Sequence, residues 1–212
     1  MRLKNVPGAR EKIELSKYFV NNPSEYKGNF NKLFKNNNPI HIEIGMGKGS
    51  FIVGMAKKYP EINFIGIEKY DSVLVRACEK LEEEELPNLY LISMDATDIL
   101  NVFDKEITTI YLNFSDPWPK NRHANRRLSS KLFLDKYKQI SKENTHIIMK
   151  TDNRKLFEFS LQTFSENDFI FNDISLDLHS DEDKVKDNVM TEYEKKFCNR
   201  NQVIYMVNTK KR

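Results

Sequence analysis

The sequence predicts an α/β fold, a mostly parallel seven-stranded sheet with helices on both faces and an antiparallel edge strand. Three observations predict it. Seven short runs rich in Ile, Leu, Val, Phe and Tyr are interleaved with amphipathic stretches. The first of these runs passes directly through a glycine turn into a helical stretch, the opening unit of a Rossmann-like, nucleotide-binding sheet. The last two runs, separated by a helix-bearing loop, suit an antiparallel edge. With 212 residues the chain suffices for one well-buried domain, 1–212, and is short for two of typical size.

In chain order, Met1–Arg10 carries Arg2, Lys4 and Arg10 around Pro7-Gly8 and reads as a weakly structured basic arm. A short helix is expected over Ser24–Phe34, ended by Asn36–Asn38 and Pro39, so that 1–38 forms an arm and helix preceding the sheet. Ile40, Ile42 and Ile44 alternate with His41 and Glu43 as a first strand, and Gly45-Met46-Gly47-Lys48-Gly49 leads into a helix over Ser50–Lys58. Ile62–Ile67 is a second strand closing on Glu68, and Asp71–Leu86 a helix whose Glu82–Glu85 run is a solvated face. Leu89–Ser93 is a third strand, followed by Asp95. The fourth runs through Ile110, Tyr111, Leu112 and Phe114 and stops at Asp116-Pro117-Trp118-Pro119, because proline removes ladder donors. Helix over Ser129–Ser141, strand over Thr145–Lys150, helix over Asn153–Glu166 and strands over Phe169–Leu178 and Val203–Val207 complete the pattern.

The acids fall where such a sheet binds ligands. Glu68 stands about 20 residues past the glycine turn, placed for two ribose hydroxyls. Asp95, with Ala96, would lie beside an adenine and its exocyclic amine. A dinucleotide site would favour G-x-G-x-x-G, whereas Gly45, Gly47 and Gly49 are evenly spaced with Glu43 two residues before them. A carboxylate there repels a pyrophosphate and suits the sulfonium or ammonium of S-adenosylmethionine.

The loop after the fourth strand combines an acid, Asp116, the single tryptophan, Trp118, and four cations, Lys120, Arg122, Arg126 and Arg127, around His123. Prolines stiffen it. The net charge is only +3, but Asp116–Lys142 holds eight Lys or Arg against two acids, while Asp181–Glu194 holds six acids against two lysines. Such opposed patches admit a polyanion at one place, and the cations read as phosphate contacts. Trp118 offers an extruded base a π surface, or alternatively packs as a core or lid residue. Thr191-Glu192-Tyr193-Glu194 reads, from spacing alone, as a capped helix start.

Cys78 and Cys198 lie far apart, and His41, His123, His146 and His179 show no metal spacing, so neither a disulfide framework nor a metal site is expected. The N-terminus lacks an apolar signal region and no run approaches membrane-spanning length, so a cytoplasmic protein without a membrane partner is expected. Oligomeric state, monomer or homodimer, is not written in the pattern.

HIEIGMGKGSF (His41–Phe51), FIGIEK (Phe64–Lys69), YLNFSDPWPK (Tyr111–Lys120), RHxxRRL (Arg122–Leu128), KTDNRxLFE (Lys150–Glu158) and TEYEKKF (Thr191–Phe197) together resemble the bacterial tRNA (guanine-N7)-methyltransferases over almost the whole chain. The resemblance implies a class I methyltransferase fold, S-adenosylmethionine as donor, and a variable-loop guanine of tRNA, position 46, as acceptor. It places the donor against Glu43, Glu68, Asp95 and Asp116, and substrate at Lys120, Asp152 and Thr191–Glu194. Asn125 and Asn201 depart from the family pattern, standing where a fuller basic run and a glycine are usual. Guanine N7 carries a free lone pair, so Asp116 is expected as a charge-stabilising group and not as a general base. The alternatives are a methyltransferase acting on a base amine, whose loop would show Pro at the third position where Trp118 stands, and an RNA-binding module that lost catalysis.

Overall fold

The computed structural model describes residues 6–198 and 202–212. The elements run α1 (Ala9–Glu14), α2 (Phe30–Phe34), β1 (Ile40–Ile44), α3 (Ser50–Lys58), β2 (Asn63–Glu68), α4 (Asp71–Leu81), β3 (Leu89–Ser93), α5 (Ile99–Val102), β4 (Ile107–Asn113), α6 (Lys131–Ile140), β5 (Ser141–Thr151), α7 (Arg154–Glu166), β6 (Phe169–Ser175), α8 (Glu182–Asp187), α9 (Glu192–Cys198) and β7 (Tyr205–Lys211). They build one seven-stranded sheet of order β3-β2-β1-β4-β5-β7-β6. The first five strands are parallel, and β7 lies antiparallel between β5 and β6. That is the expected sheet with its antiparallel edge.

Apolar residues on the two faces of the strands feed two cores. Phe30, Phe103, Phe133, Tyr137, Phe157 and Phe164 pack α2, α5, α6 and α7 on one face. Ile13, Phe51, Ile52, Leu74, Val75 and Leu81 pack α1, α3 and α4 on the other. β2 is buried along its whole length, as a strand covered on both faces must be. Burying side chains such as Phe64 and Ile65 contributes about 1.5–3 kcal/mol each.

Several boundaries differ from expectation for identifiable reasons. The described part of the basic arm is structured: α1 starts after Gly8, buries Ala9 and Ile13, and holds Arg10 over the Phe19 ring at 5.2 Å. Arg2, Lys4 and Asn201 lie outside the described residues. The helix expected over Ser24–Phe34 is a 3-10 turn, Pro23–Tyr26, followed by α2. Glu106 breaks it, accepting from the Gly28 and Phe30 amides at 2.8 and 3.0 Å. α4 stops at Leu81 and not at Leu86, because Glu82–Glu85 would place four carboxylates at the negative end of the helix dipole. β6 ends at Ser175 and Leu178 turns inward in a 3-10 turn, while β7 begins two residues late and continues to Lys211.

Among the described residues, no helix is long and apolar enough to cross a membrane.

Candidate active site

The sheet order reverses between β1 and β4, and a ligand crevice is expected outside the carboxyl ends of strands at such a point. The glycine turn after β1 lies there. Gly45, Gly47 and Gly49 all have positive φ, 75°, 59° and 77°, which a side chain would strain. The Gly45 and Met46 amides donate to the Ile67 carbonyl at 2.9 and 3.0 Å, folding the turn over β2. Gly66 makes this possible: a Cβ there would come within 2.3 Å of Met46 Sδ. Sequence reading did not single out Gly66, although a glycine inside a strand is itself a signal of close approach.

Glu68 is held by the same turn. Its Oε2 accepts from Gly47 N at 3.0 Å and its Oε1 from the Lys69 and Tyr70 amides at 2.8 and 3.0 Å. Burial still raises its pKa against these three donors, and the charge of Asp116 adds to the rise, so the second and fourth strand-end acids share one electrostatic environment.

Glu43 is almost fully buried in the middle of the rim. Asn113 Nδ2, from the end of β4, donates to Oε1 at 2.9 Å, while Oε2 has no hydrogen-bonding partner among the described residues. Burial pushes the Glu43 carboxyl up to about 8, against the opposing pull of Asn113, Lys150 and the Ile52 amide. A buried acid with an unfilled oxygen favours a cation as its partner.

Asp95 completes the rim after β3. Lys69 Nζ sits 2.5 Å from its Oδ2, and its Oδ1 caps the turn at Ala96–Asp98 by accepting from Thr97 N at 2.9 Å. The Lys69 bond, followed by the Thr97 amide, holds its carboxyl near 2, so it is an anion at every working pH.

The fourth-strand loop divides its cations. Lys120, Arg122 and Arg126 are exposed and His123 half-buried. The Arg126 guanidinium lies over the Trp118 ring at 4.9 Å, and His123 meets the same ring edge-on at 5.8 Å. Arg127 differs from the surface cation expected: it is buried, donates to the Pro117 and Trp118 carbonyls at 3.1 and 3.0 Å, and stacks on Phe159 at 4.3 Å. It braces the loop that presents exposed Asp116.

The segment before β7 closes the crevice from the other side. Thr191 and Glu194 form the expected capping box, Glu194 N donating to Thr191 Oγ1 at 2.9 Å. Glu192 accepts from Ser50 Oγ at 2.9 Å and lies 3.6 Å from Lys48 Nζ, which ties α9 to the glycine turn. Tyr193 is exposed, whereas Glu194 is wholly buried against Lys150, which opens the KTDNRxLFE motif but is given no role by sequence reading. Asp152 follows β5, half-buried, beside the end of β4. Glu43 and Glu68 feel one another's charge, Asp116 acts on Glu68, and Glu192 reaches the glycine turn, so the ends of β1, β2 and β4 and the start of α9 lie together.

Residues 37–207 match a family model described as "Putative methyltransferase". A tRNA (guanine-N(7)-)-methyltransferase of Oceanobacillus iheyensis is 53% identical over 207 residues, covering 97% of this chain and 96% of its own. One of Bacillus cytotoxicus is 50% identical over 214 residues, covering 100% and 98%. Among solved structures, an antibiotic-related methyltransferase superposes with a TM-score of 0.67 at 17% identity, covering 85% of this chain and 92% of its own.

Proposed function

This chain belongs to the bacterial tRNA (guanine-N7-)-methyltransferase family, and from that premise we propose that it moves the methyl group of S-adenosylmethionine to N7 of a variable-loop guanine, position 46, in tRNA. The observation that carries the donor assignment is the buried Oε2 of Glu43, which has no hydrogen-bonding partner among the described residues and lies beside the glycine turn. When bound, S-adenosylmethionine supplies an electrophilic methyl on a positively charged sulfur.

The chain's own groups then have distinct tasks. Glu43 faces the positive charge. Glu68 Oε2, with a single backbone donor, keeps capacity for a ribose hydroxyl. Asp95 and Ala96 would bound the base of the donor, and Gly45 and Gly47, where a Cβ would meet nothing within 4 Å, would let it approach the backbone closely. Guanine N7 needs no proton removed, so alignment within about 3–3.5 Å of the methyl carbon is the main demand on the acceptor side. Asp116 stabilises the cationic ring as it forms, with Asp152 assisting. Lys120, Arg122, His123 and Arg126 take the tRNA backbone, and Thr191–Glu194 bound the acceptor. The enzyme works in the cytoplasm, where its tRNA is, and uses no metal.

Titrating the protein with S-adenosylmethionine in a calorimeter, then mapping the methylated nucleotide in bulk tRNA by nuclease digestion and mass spectrometry, tests the reading. 7-Methylguanosine at the variable loop is expected. A methyl on an exocyclic amine would replace it with the base-amine reading, and tRNA binding without transfer would point to the non-catalytic one.

A further inference from the structure

The acceptor side of the crevice is built around a carboxylate with nothing left to give. Glu194 Oε1 accepts from Asn188 Nδ2 at 2.6 Å and lies 3.2 Å from His179 Nε2. Its Oε2 accepts from Lys150 Nζ at 2.7 Å and Thr191 N at 3.3 Å. Three hydrogen bonds and the His179 contact surround the carboxylate, which has zero exposure. Glu194 is thus an anchor and not a reader of the base edge.

Lys150 is equally committed. Its three hydrogens go to Glu194, to Asn188 Oδ1 at 3.0 Å and to the Val189 carbonyl at 3.0 Å. Its own carbonyl accepts from the Phe114 amide at 2.8 Å. One residue therefore fixes both the 188–194 segment, through its side chain, and Phe114, through its backbone. Phe114 has φ 51°, a strained setting for a bulky residue that persists only where neighbours impose it. Between these fixed points lies Tyr193, 55% exposed, with its ring centroid 5.9 Å from Phe114 and 4.8 Å from Phe197. Trp118, by contrast, already carries Arg126 over its ring.

Building on the tRNA methyltransferase reading, we propose that the extruded guanine stacks on Tyr193, backed by Phe114, and not on Trp118, and that Lys150 is the positioning residue that sets this surface. The acceptor is recognised as a purine ring by its π face, and Asp116, two residues from Phe114, lies at the edge of the same surface.

The test uses full-length tRNA carrying 2-aminopurine at the acceptor position, a purine whose fluorescence is quenched by stacking. With the unaltered protein the bound probe is expected to stay quenched. Tyr193→Ala brightens it and raises KM for ordinary tRNA about tenfold or more, the scale of one lost base–aromatic stack. Tyr193→Phe restores most of both, which a purely structural role for the hydroxyl-bearing side chain would not give. Lys150→Met brightens the probe as Tyr193→Ala does while the protein still binds S-adenosylmethionine in the calorimeter, which shows that it is folded. Bright probe with Trp118→Ala and quenched probe with Tyr193→Ala would overturn the proposal, as would an unchanged KM for Tyr193→Ala. If the unaltered protein transfers no methyl to tRNA, the function assigned above falls instead, and the two failures are read separately.

Discussion

Asn113 donates to Glu43 across the β1–β4 pair at 2.9 Å, filling one carboxylate oxygen and leaving the other buried with no hydrogen-bonding partner among the described residues. Glu43 is raised to about 8 in the folded protein by burial, against an ordinary value of 4.5. Near neutral pH the carboxyl is then mostly protonated until a cation arrives. Donor binding at pH 7 should release up to one proton, measured as a dependence of the calorimetric enthalpy on buffer ionisation enthalpy. Affinity should climb as pH rises toward 8 and then level. Glu43→Gln should abolish the proton release.

The same shift has a stability consequence of fixed sign. Above pH 4.5 the unfolded chain has lost this proton while the folded one keeps it, so stability declines as pH rises from about 4.5 to about 8 and then levels with respect to this group. Thermal unfolding of the donor-free protein should show a falling Tm over that window. Glu43→Gln should flatten the part due to Glu43.

Asp116 lies exposed after β4, and under the proposed function it stabilises the methylated ring cation. Asp116→Asn should lower kcat by roughly 10²–10³, the usual range for one preset electrostatic group, with the calorimetric Kd for donor changed little. Single-turnover assays at saturating tRNA check it.

Lys150 and Glu194 form a buried ion pair, with side-chain exposures of 5% and 0%. Removing one partner strands the other, so Lys150→Met should cost about 3–5 kcal/mol in urea unfolding. The double change Lys150→Met with Glu194→Leu should recover part of that loss, because no unpaired charge remains. Burial pulls the Lys150 ammonium below its ordinary value against the attraction of Glu194, in keeping with a charge that is stable only when paired.

Arginines 126 and 127 are adjacent in sequence and opposite in role. Arg126→Ala should reduce the slope of log binding against log salt for tRNA by about one, as loss of a phosphate contact does. Arg127→Ala should leave that slope alone and destabilise the loop, seen as a lower Tm, because two carbonyls lose their donor.

Much of this architecture is legible in the sequence because periodicity reports burial directly. The alternation of Ile40, Ile42 and Ile44, the glycine turn and the acids Glu43, Glu68 and Asp95 each mark a strand end. What sequence reading misses are residues whose type suggests one environment while packing imposes another. Lys150 looks like a surface lysine and is buried; Arg127 looks like its three neighbouring cations and faces inward. The break between Pro23–Tyr26 and α2 depends on Glu106, about 80 residues away, and no local pattern encodes it. Glu194 reads as a cap from spacing and is one, but its partners Lys150, Asn188 and His179 come together only in three dimensions.

The placement of β7 between β5 and β6 bears on how the molecule is made. Residues 169–175 leave the ribosome with no ladder to join, since their only neighbour in the sheet is residues 205–211. The stretch connecting them, which carries Tyr193 and Glu194, is tethered at both ends to strands that can settle only together. Parallel strands β1 to β5 can assemble as translation proceeds, and the segment that carries Tyr193 and Glu194 is completed last.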